Sequence, residues 1–193
     1  MVKPEINPVA AMVGIPIAST VITIFGTWWI AAGFSIFQLR AAVNITILVG
    51  CALTGLAIYN LAIGRRLLRK LSSGQSINFG KIGRGRNYAI IVAAEFFLIF
   101  AVASLFPVWR LQDYVLAAVS LIVGIHFFPL GKIFLAKRYF VLGSVIALWT
   151  LAVLVSLSFP DANFAIGVGN GAILWCAAII GAYTTTRRRN ELQ

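Results

Sequence analysis

Residues 88–109 read YAIIVAAEFFLIFAVASLFPVW, a run of 22 residues in which Glu95 is the single charged side chain. At a rise of roughly 1.5 Å per residue, an α-helix of this length spans about 33 Å, which matches the roughly 30 Å hydrocarbon core of a bilayer. A backbone that crosses lipid must satisfy its own hydrogen bonds, as a helix does. The stretch therefore predicts a transmembrane helix.

The same length and apolar character recur along the chain between clusters of charged residues. The 193 residues are 61% hydrophobic and 11% charged, whereas a typical soluble domain carries about 25% charged residues, so a soluble globular fold is excluded. Strand-like alternation is absent from the sequence, which favours helices over a barrel. We expect one all-α transmembrane domain over residues 1–193, a bundle of six transmembrane helices. The predicted spans are about 14–36, 41–63, 88–109, 114–134, 139–159 and 164–184.

Positive charge is concentrated in every second connection of this arrangement. Fourteen of the sixteen lysine and arginine residues are Lys3 or lie in the segment 64–87, the connection 132–138 or the tail 187–189. Cytoplasmic loops of membrane proteins carry the excess of basic residues. The distribution therefore predicts an even number of spans in the cell membrane, with both termini in the cytoplasm.

The segment 64–87 holds seven basic residues and no acidic one. Beside a membrane, such a cluster predicts contact with anionic lipid head groups, worth about 1 kcal/mol for each basic residue near the surface. Its Gly83-Arg84-Gly85-Arg86 run has few aromatic neighbours that could stack on bases, so nucleic acid is not an expected partner. Residues 65–71, with the sequence RRLLRKL, also fit a helical extension of the second span along the interface.

Glu95 and His126 are the candidate polar site inside the membrane. Glu95 is the only acidic residue within a long apolar run, and His126 is the only histidine of the chain. Both lie at a similar distance from the predicted cytoplasmic ends of two spans that a short turn at 110–113 joins. A charged side chain at the centre of a span costs roughly 2.5–3.5 kcal/mol on insertion scales. The presence of this pair inside the predicted spans therefore requires a functional or structural explanation. It fits a proton relay or a cation site, and it also fits a structural pair that offsets the cost of its own burial.

Pro129 follows one turn after His126 in the segment GIHFFPLG, residues 124–131. Proline removes a helical N–H donor and usually kinks a helix, here at the carbonyl of Ile125. A broken helix beside an ionisable side chain is typical of transporter binding sites, whereas a packing kink needs no ligand. The segment resembles part of a family of small uncharacterised bacterial multi-pass membrane proteins. The resemblance implies a six-span bundle and carries over no activity and no functional residue.

Gly167 and Gly171 place a face of small residues at the start of the sixth span. Their GxxxG spacing lets another helix backbone approach closely. One interpretation is packing within the chain. The other is a seam with a second copy of the chain or with another membrane protein. The run does not match the GxGxxG dinucleotide fingerprint, and no cofactor is expected.

The cysteines give little support to catalysis. Cys176 falls at about the depth of Glu95 and His126, so a Cys–His–Glu nucleophilic site can be drawn, but a cysteine in apolar surroundings is normally inert. With one histidine and no HExxH or CxxC motif, no metal ligand is assigned, and no catalytic residue is assigned either.

Three functional classes follow from these residues. The preferred hypothesis is a small transporter or channel-like protein that is proton-coupled through Glu95 and His126. The second is a structural or accessory subunit that docks a partner by helix packing. The third is a membrane-embedded enzyme, which the cysteine and metal considerations disfavour.

Overall fold

The computed structural model describes residues 8–71, 84–134 and 136–190, and all secondary structure in these ranges is helical. The six α-helices there are α1 Pro8–Ile36, α2 Arg40–Leu71, α3 Arg84–Val108, α4 Val115–Phe134, α5 Lys137–Ser156 and α6 Asp161–Asn190. Each of the six contains a segment that is long and apolar enough to cross a membrane. The predicted all-α bundle is confirmed, and the chain is a multi-pass membrane protein.

The last two predicted spans need corrected bounds. The fifth is predicted at 139–159, but α5 is formed by Lys137–Ser156. Leu157 is extended, with φ −127° and ψ 147°, and Pro160 disfavours a helical backbone at the residue before it. The sixth helix starts three residues before its predicted bound, at Asp161, because a carboxylate suits the positive N-terminal end of a helix.

The first two helices extend beyond the predicted spans. α1 begins at Pro8, which suits the first turn of a helix because it has no N–H to leave unpaired, and Pro16 therefore lies inside the helix. α2 continues to Leu71 because leucine, lysine and arginine are strong helix formers. The predicted basic loop 64–87 is correspondingly shorter, since α3 begins at Arg84 and residues 72–83 lie outside the described ranges.

α1 and α6 form the centre of the bundle and share its most extensive helix contact. α2 packs on α1, α5 packs on both α6 and α4, and α3 packs mainly on α4 at the edge of the bundle. The buried side chains lie chiefly on α1, α4, α5 and α6, and no residue in the membrane-spanning part of α3 is fully buried. The helix that carries Glu95 is therefore the most peripheral of the six.

Two pairs of glycines bring the backbones of α1 and α6 together. A Cβ placed on Gly167 would lie 2.6 Å from Gly33 Cα and 2.8 Å from Gly33 N. A Cβ on Gly171 would lie 2.6 Å from the Gly26 carbonyl oxygen and would also collide with Ile30. In lipid, helices gain little from burying apolar surface and depend on close packing instead. The face marked by Gly167 and Gly171 is thus occupied by α1 of the same chain.

We expect Gly167→Ala to destabilise the protein, because the new methyl group would meet backbone atoms of α1 that cannot rotate away. The expected loss of unfolding free energy is about 1–3 kcal/mol, the usual cost of overpacking. Gly55→Ala is the matched control, since nothing lies within 4 Å of a Cβ at that position, and it should be neutral or stabilising. Thermal unfolding of both variants in one detergent measures the difference. Equal midpoints would contradict the close contact.

Candidate functional site

A tight turn brings α3 and α4 side by side. Arg110, two residues after the end of α3, adopts a left-handed backbone conformation with φ 57°. The amide of Arg110 donates to the Pro107 carbonyl at 3.1 Å, and the amide of Leu111 donates to the Phe106 carbonyl at 2.8 Å. These two bonds satisfy carbonyls at the end of α3 and reverse the chain. The short 3-10 turn Gln112–Tyr114 then leads into α4 as an antiparallel neighbour.

Glu95 of α3 and His126 of α4 meet at this interface. Glu95 Oε2 lies 3.1 Å from His126 Nδ1, and the two side chains are only 13% and 10% exposed. The approach does not have the direction that a hydrogen bond requires, and Nδ1 is buried with no hydrogen-bond partner among the described residues. The contact is therefore one between charges, or between an acid and a base, which depends on distance more than on angle.

A carboxyl group and an imidazole at this distance can share one proton. With the proton on His126 the side chains form an ion pair, and with the proton on Glu95 both are neutral. Gain or loss of one further proton changes the net charge and leaves a charge without its partner at a site shielded from water. The pair can therefore hold a proton at a defined place between α3 and α4, and its charge state affects the contact between the two helices.

The opposite side of α3 faces outward. Phe96, Phe97 and Phe100 are between 59% and 71% exposed, whereas the Glu95 side chain is turned towards α4. Phenyl rings are compatible with lipid, and a carboxyl group is not. α3 thus presents an apolar surface to the bilayer and a single ionisable group to its neighbour.

Pro129 lies inside α4, one turn beyond His126. The helix continues through it to Phe134, so the proline interrupts the hydrogen-bond ladder without ending the helix. The carbonyl of Ile125 loses its usual amide donor as a result. The kink predicted at Pro129 stays a prediction, and so does a binding role for the freed carbonyl.

A second buried polar cluster joins α4, α5 and α6, and the sequence reasoning misses it. Ser120, Thr150 and Asn170 are each at most 1% exposed. Asn170 Nδ2 donates to Ser120 Oγ at 2.6 Å, and the Ser120 and Thr150 hydroxyl oxygens are 2.5 Å apart. Thr150 Oγ1 donates to the Ile146 carbonyl at 2.9 Å, so the Ser120 hydroxyl is the donor to Thr150. A continuous chain of hydrogen bonds therefore connects the three helices.

This cluster is separate from the Glu95–His126 pair. Ser120 and His126 are six residues apart, which is about 9 Å along α4 and roughly 120° around it. Asn170 was the available signal in the sequence, because an amide inside an apolar run usually faces the interior of a bundle. Its Oδ1 has no hydrogen-bond partner within the described ranges.

The cysteines join neither cluster. Cys51 and Cys176 are both free and exposed. Over the residues that the structure describes, no three His, Cys, Asp or Glu side chains lie close enough to share a metal ion. The structure does not assemble Cys176 with His126 and Glu95, and the hypothesis of a membrane-embedded enzyme loses the observation that suggested it.

A cavity of about 400 Å³ lies between α1, α2 and α6. Asn60 and Tyr59 of α2 and Tyr183 of α6 contribute to its wall, and neither Glu95 nor His126 does. The cavity and the ionisable pair are therefore two distinct features of the bundle.

We expect Glu95→Gln and His126→Leu to be energetically coupled in unfolding. Each single change leaves the partner unpaired at a shielded site, which costs up to about 3–5 kcal/mol, and the double variant removes both groups. The double variant should therefore be less destabilised than the sum of the single variants. A double-mutant cycle on unfolding in detergent measures the coupling, with Glu95→Gln and Thr185→Val on α6 as an uncoupled control pair. Additivity of Glu95 and His126 within about 0.5 kcal/mol would show that the two residues are independent.

No protein-family model matches this chain, and no curated protein or solved structure matches it either. The resemblance of residues 124–131 to a family of small bacterial membrane proteins stays a prediction.

Proposed function

We propose that the protein is a small proton-coupled transporter or channel-like protein in which Glu95 and His126 carry the coupling proton. The observation that supports this most directly is the 3.1 Å contact of Glu95 Oε2 with His126 Nδ1 inside two membrane-spanning helices. Ionisable side chains at such positions are costly and commonly mark proton relays or ion pathways. His126 Nδ1 has no other polar partner in the described part of the chain, so it is available to accept a proton.

The position of α3 suggests how a proton would act. α3 packs mainly on α4, and the Glu95–His126 contact lies in that one interface. An ion pair holds the two helices together, and a pair with one unbalanced charge does not. Binding of a proton shifts an equilibrium between two arrangements of α3 and α4 only if the proton binds one arrangement more tightly than the other. In this proposal, the Glu95–His126 contact at the α3–α4 interface is the source of that difference in proton affinity.

An accessory subunit that docks a partner is the second candidate. The glycine face that suggested it is covered by α1, so the docking surface in this case is the outward side of α3 with its exposed Phe96, Phe97 and Phe100. A second copy of the chain or another membrane protein would cover these rings. Co-purification of one defined partner that is lost in Phe97→Ala and kept in Glu95→Gln would favour this candidate over the transporter.

We also propose that the protein lies in the cell membrane with both termini in the cytoplasm, on the strength of the basic segments. Reporter fusions within the segment 72–83, at Gln75, and after the C-terminal residue Gln193 should both give cytoplasmic signals. A fusion after Arg110, between the third and fourth spans, is the control and should give an external signal. An external signal from either of the first two fusions would contradict the orientation. With this orientation, the basic segment 64–87 meets the anionic lipid head groups of the cytoplasmic leaflet.

The coupling proposal is tested with purified protein in liposomes that enclose a pH-sensitive dye. Candidate solutes, supplied one at a time, should change the internal pH when they move together with protons. We expect Glu95→Gln to abolish the solute-dependent signal without loss of folded protein, because it removes the titrating carboxyl group. Phe97→Leu, an outward-facing change on the same helix, is the matched control and should keep the signal. A signal of unchanged rate in Glu95→Gln would exclude Glu95 as the coupling residue.

A further inference from the structure

The cavity between α1, α2 and α6 has the shape of a groove. Its volume of about 400 Å³ lies within the roughly 300–1,000 Å³ that is usual for sites of small ligands. The α2 wall is one helical face, formed by Leu53, Leu56, Ala57 and Asn60 at positions i, i+3, i+4 and i+7. The α6 wall runs in parallel along residues 178–186, and Thr23 of α1 lies between the two. A long, narrow ligand would fit between these walls.

The groove opens sideways into the bilayer. Leu56 and Tyr59 on one rim are 50% and 61% exposed, and Ile179 and Tyr183 on the other rim are 51% and 71% exposed. These four residues lie within the membrane-spanning parts of α2 and α6. A ligand would therefore enter from the lipid phase, without crossing the packed centre of the bundle.

Asn60 provides an unsatisfied polar group inside the groove. The residue is only 8% exposed, it lines the cavity, and its side chain makes no hydrogen bond to any other residue that the structure describes. The amide is not completely shielded, so it reaches the groove, where a polar atom of a bound molecule would supply the hydrogen bond that the described residues do not. Leu53, Leu56 and Ala57, which share this face of α2 with Asn60, are apolar, so the groove has one polar end.

The polar end of the groove lies next to two groups of arginines. Arg66 is exposed and follows the rim residue Tyr59 by seven residues, which places it on the same side of α2 about 10 Å further along the helix. On α6, Thr186 lines the groove and is followed at once by the arginines of 187–189. α2 and α6 run in the same direction through the bundle, because both are even-numbered helices of an antiparallel series. Their basic ends therefore lie on one side, where they attract an anion.

We infer that this groove binds one anionic phospholipid. One of the two acyl chains lies along the apolar wall from Leu53 to Ala57, a glycerol ester reaches the Asn60 amide, and the phosphate lies at the level of Arg66 and Arg187. Tyrosines at membrane interfaces commonly sit at the head-group level, and Tyr59 and Tyr183 flank the polar end in this way. The site goes beyond the proposed function, since Glu95 and His126 lie elsewhere in the bundle.

Native mass spectrometry of the full chain in a mild detergent tests the site. The probes are phosphatidylglycerol and phosphatidylethanolamine at equal concentration, and we expect one phosphatidylglycerol per protein to be retained in preference. Ala182→Phe fills the groove and should abolish this adduct. Ala172→Phe adds the same ring to an exposed position of α6 and should keep it. Unchanged retention in Ala182→Phe would overturn the proposal.

Three further variants separate the parts of the site. Asn60→Leu keeps the size of the side chain and removes the amide, so retention should fall without loss of the fold. This variant decides the question if Ala182→Phe does not fold, and unchanged retention in it would overturn the site. Arg66→Gln and Arg187→Gln should each reduce the preference for phosphatidylglycerol about fivefold, which corresponds to roughly 1 kcal/mol. Equal binding of both lipids by the wild-type chain would overturn the selection for an anionic head group.

Discussion

Helices in lipid have no hydrophobic reason to associate, because lipid tails are as apolar as their side chains. In this protein the central contact is the close approach of the α1 and α6 backbones at Gly33 with Gly167 and at Gly26 with Gly171. The other helices are added around this pair, α2 on α1 and α5 on α6, with α4 and finally α3 towards the edge. Only α3, at the edge, has no fully buried residue in its membrane-spanning part.

Lipid also offers no hydrogen bonds to polar groups, so polar side chains inside the membrane must find their partners within the protein. The hydroxyl groups of Thr20, Thr23 and Thr27 each donate to the backbone carbonyl one turn earlier, so these three side chains are satisfied within α1. Three buried atoms have no hydrogen-bond partner within the described ranges, namely His126 Nδ1, Asn163 Oδ1 and Asn170 Oδ1. The side chain of Asn60, which lines the groove, makes no hydrogen bond to another described residue either. The proton-coupling proposal concerns His126, and the lipid-binding proposal concerns Asn60. A proton or a ligand can stabilise the protein most where a polar group has no partner within the chain.

The sequence predicts features that depend on length and composition. Six apolar runs of sufficient length are enough to predict six helices, and the short turn between the third and fourth runs is enough to bring Glu95 to the level of His126. Helix ends were predicted less well, because capping and proline act over single residues, as at Asp161 and Pro160.

The structural features that the sequence did not predict depend on tertiary packing. The hydrogen bonds of Ser120, Thr150 and Asn170 connect residues up to fifty positions apart, and nothing local to any of them indicates its partner. The groove beside Asn60 is a gap between the first two helices and α6, which is distant from them in the chain, so no residue pattern predicts it. The GxxxG spacing of Gly167 and Gly171 marked a contact surface without indicating whether α1 or another molecule would cover it.

The central helix pair has a consequence for biosynthesis. Gly33 and Gly167 are separated by 134 residues, so α1 leaves the ribosome long before the helix that completes its packing. At a translation rate of about 5–20 residues per second, α6 is synthesised on the order of 10 s after α1. During this time the glycine face of α1 is exposed to lipid or to neighbouring helices. The bundle therefore closes only when the last span has been inserted. A chain that stops before α6 leaves this face of α1 without the helix that packs on it.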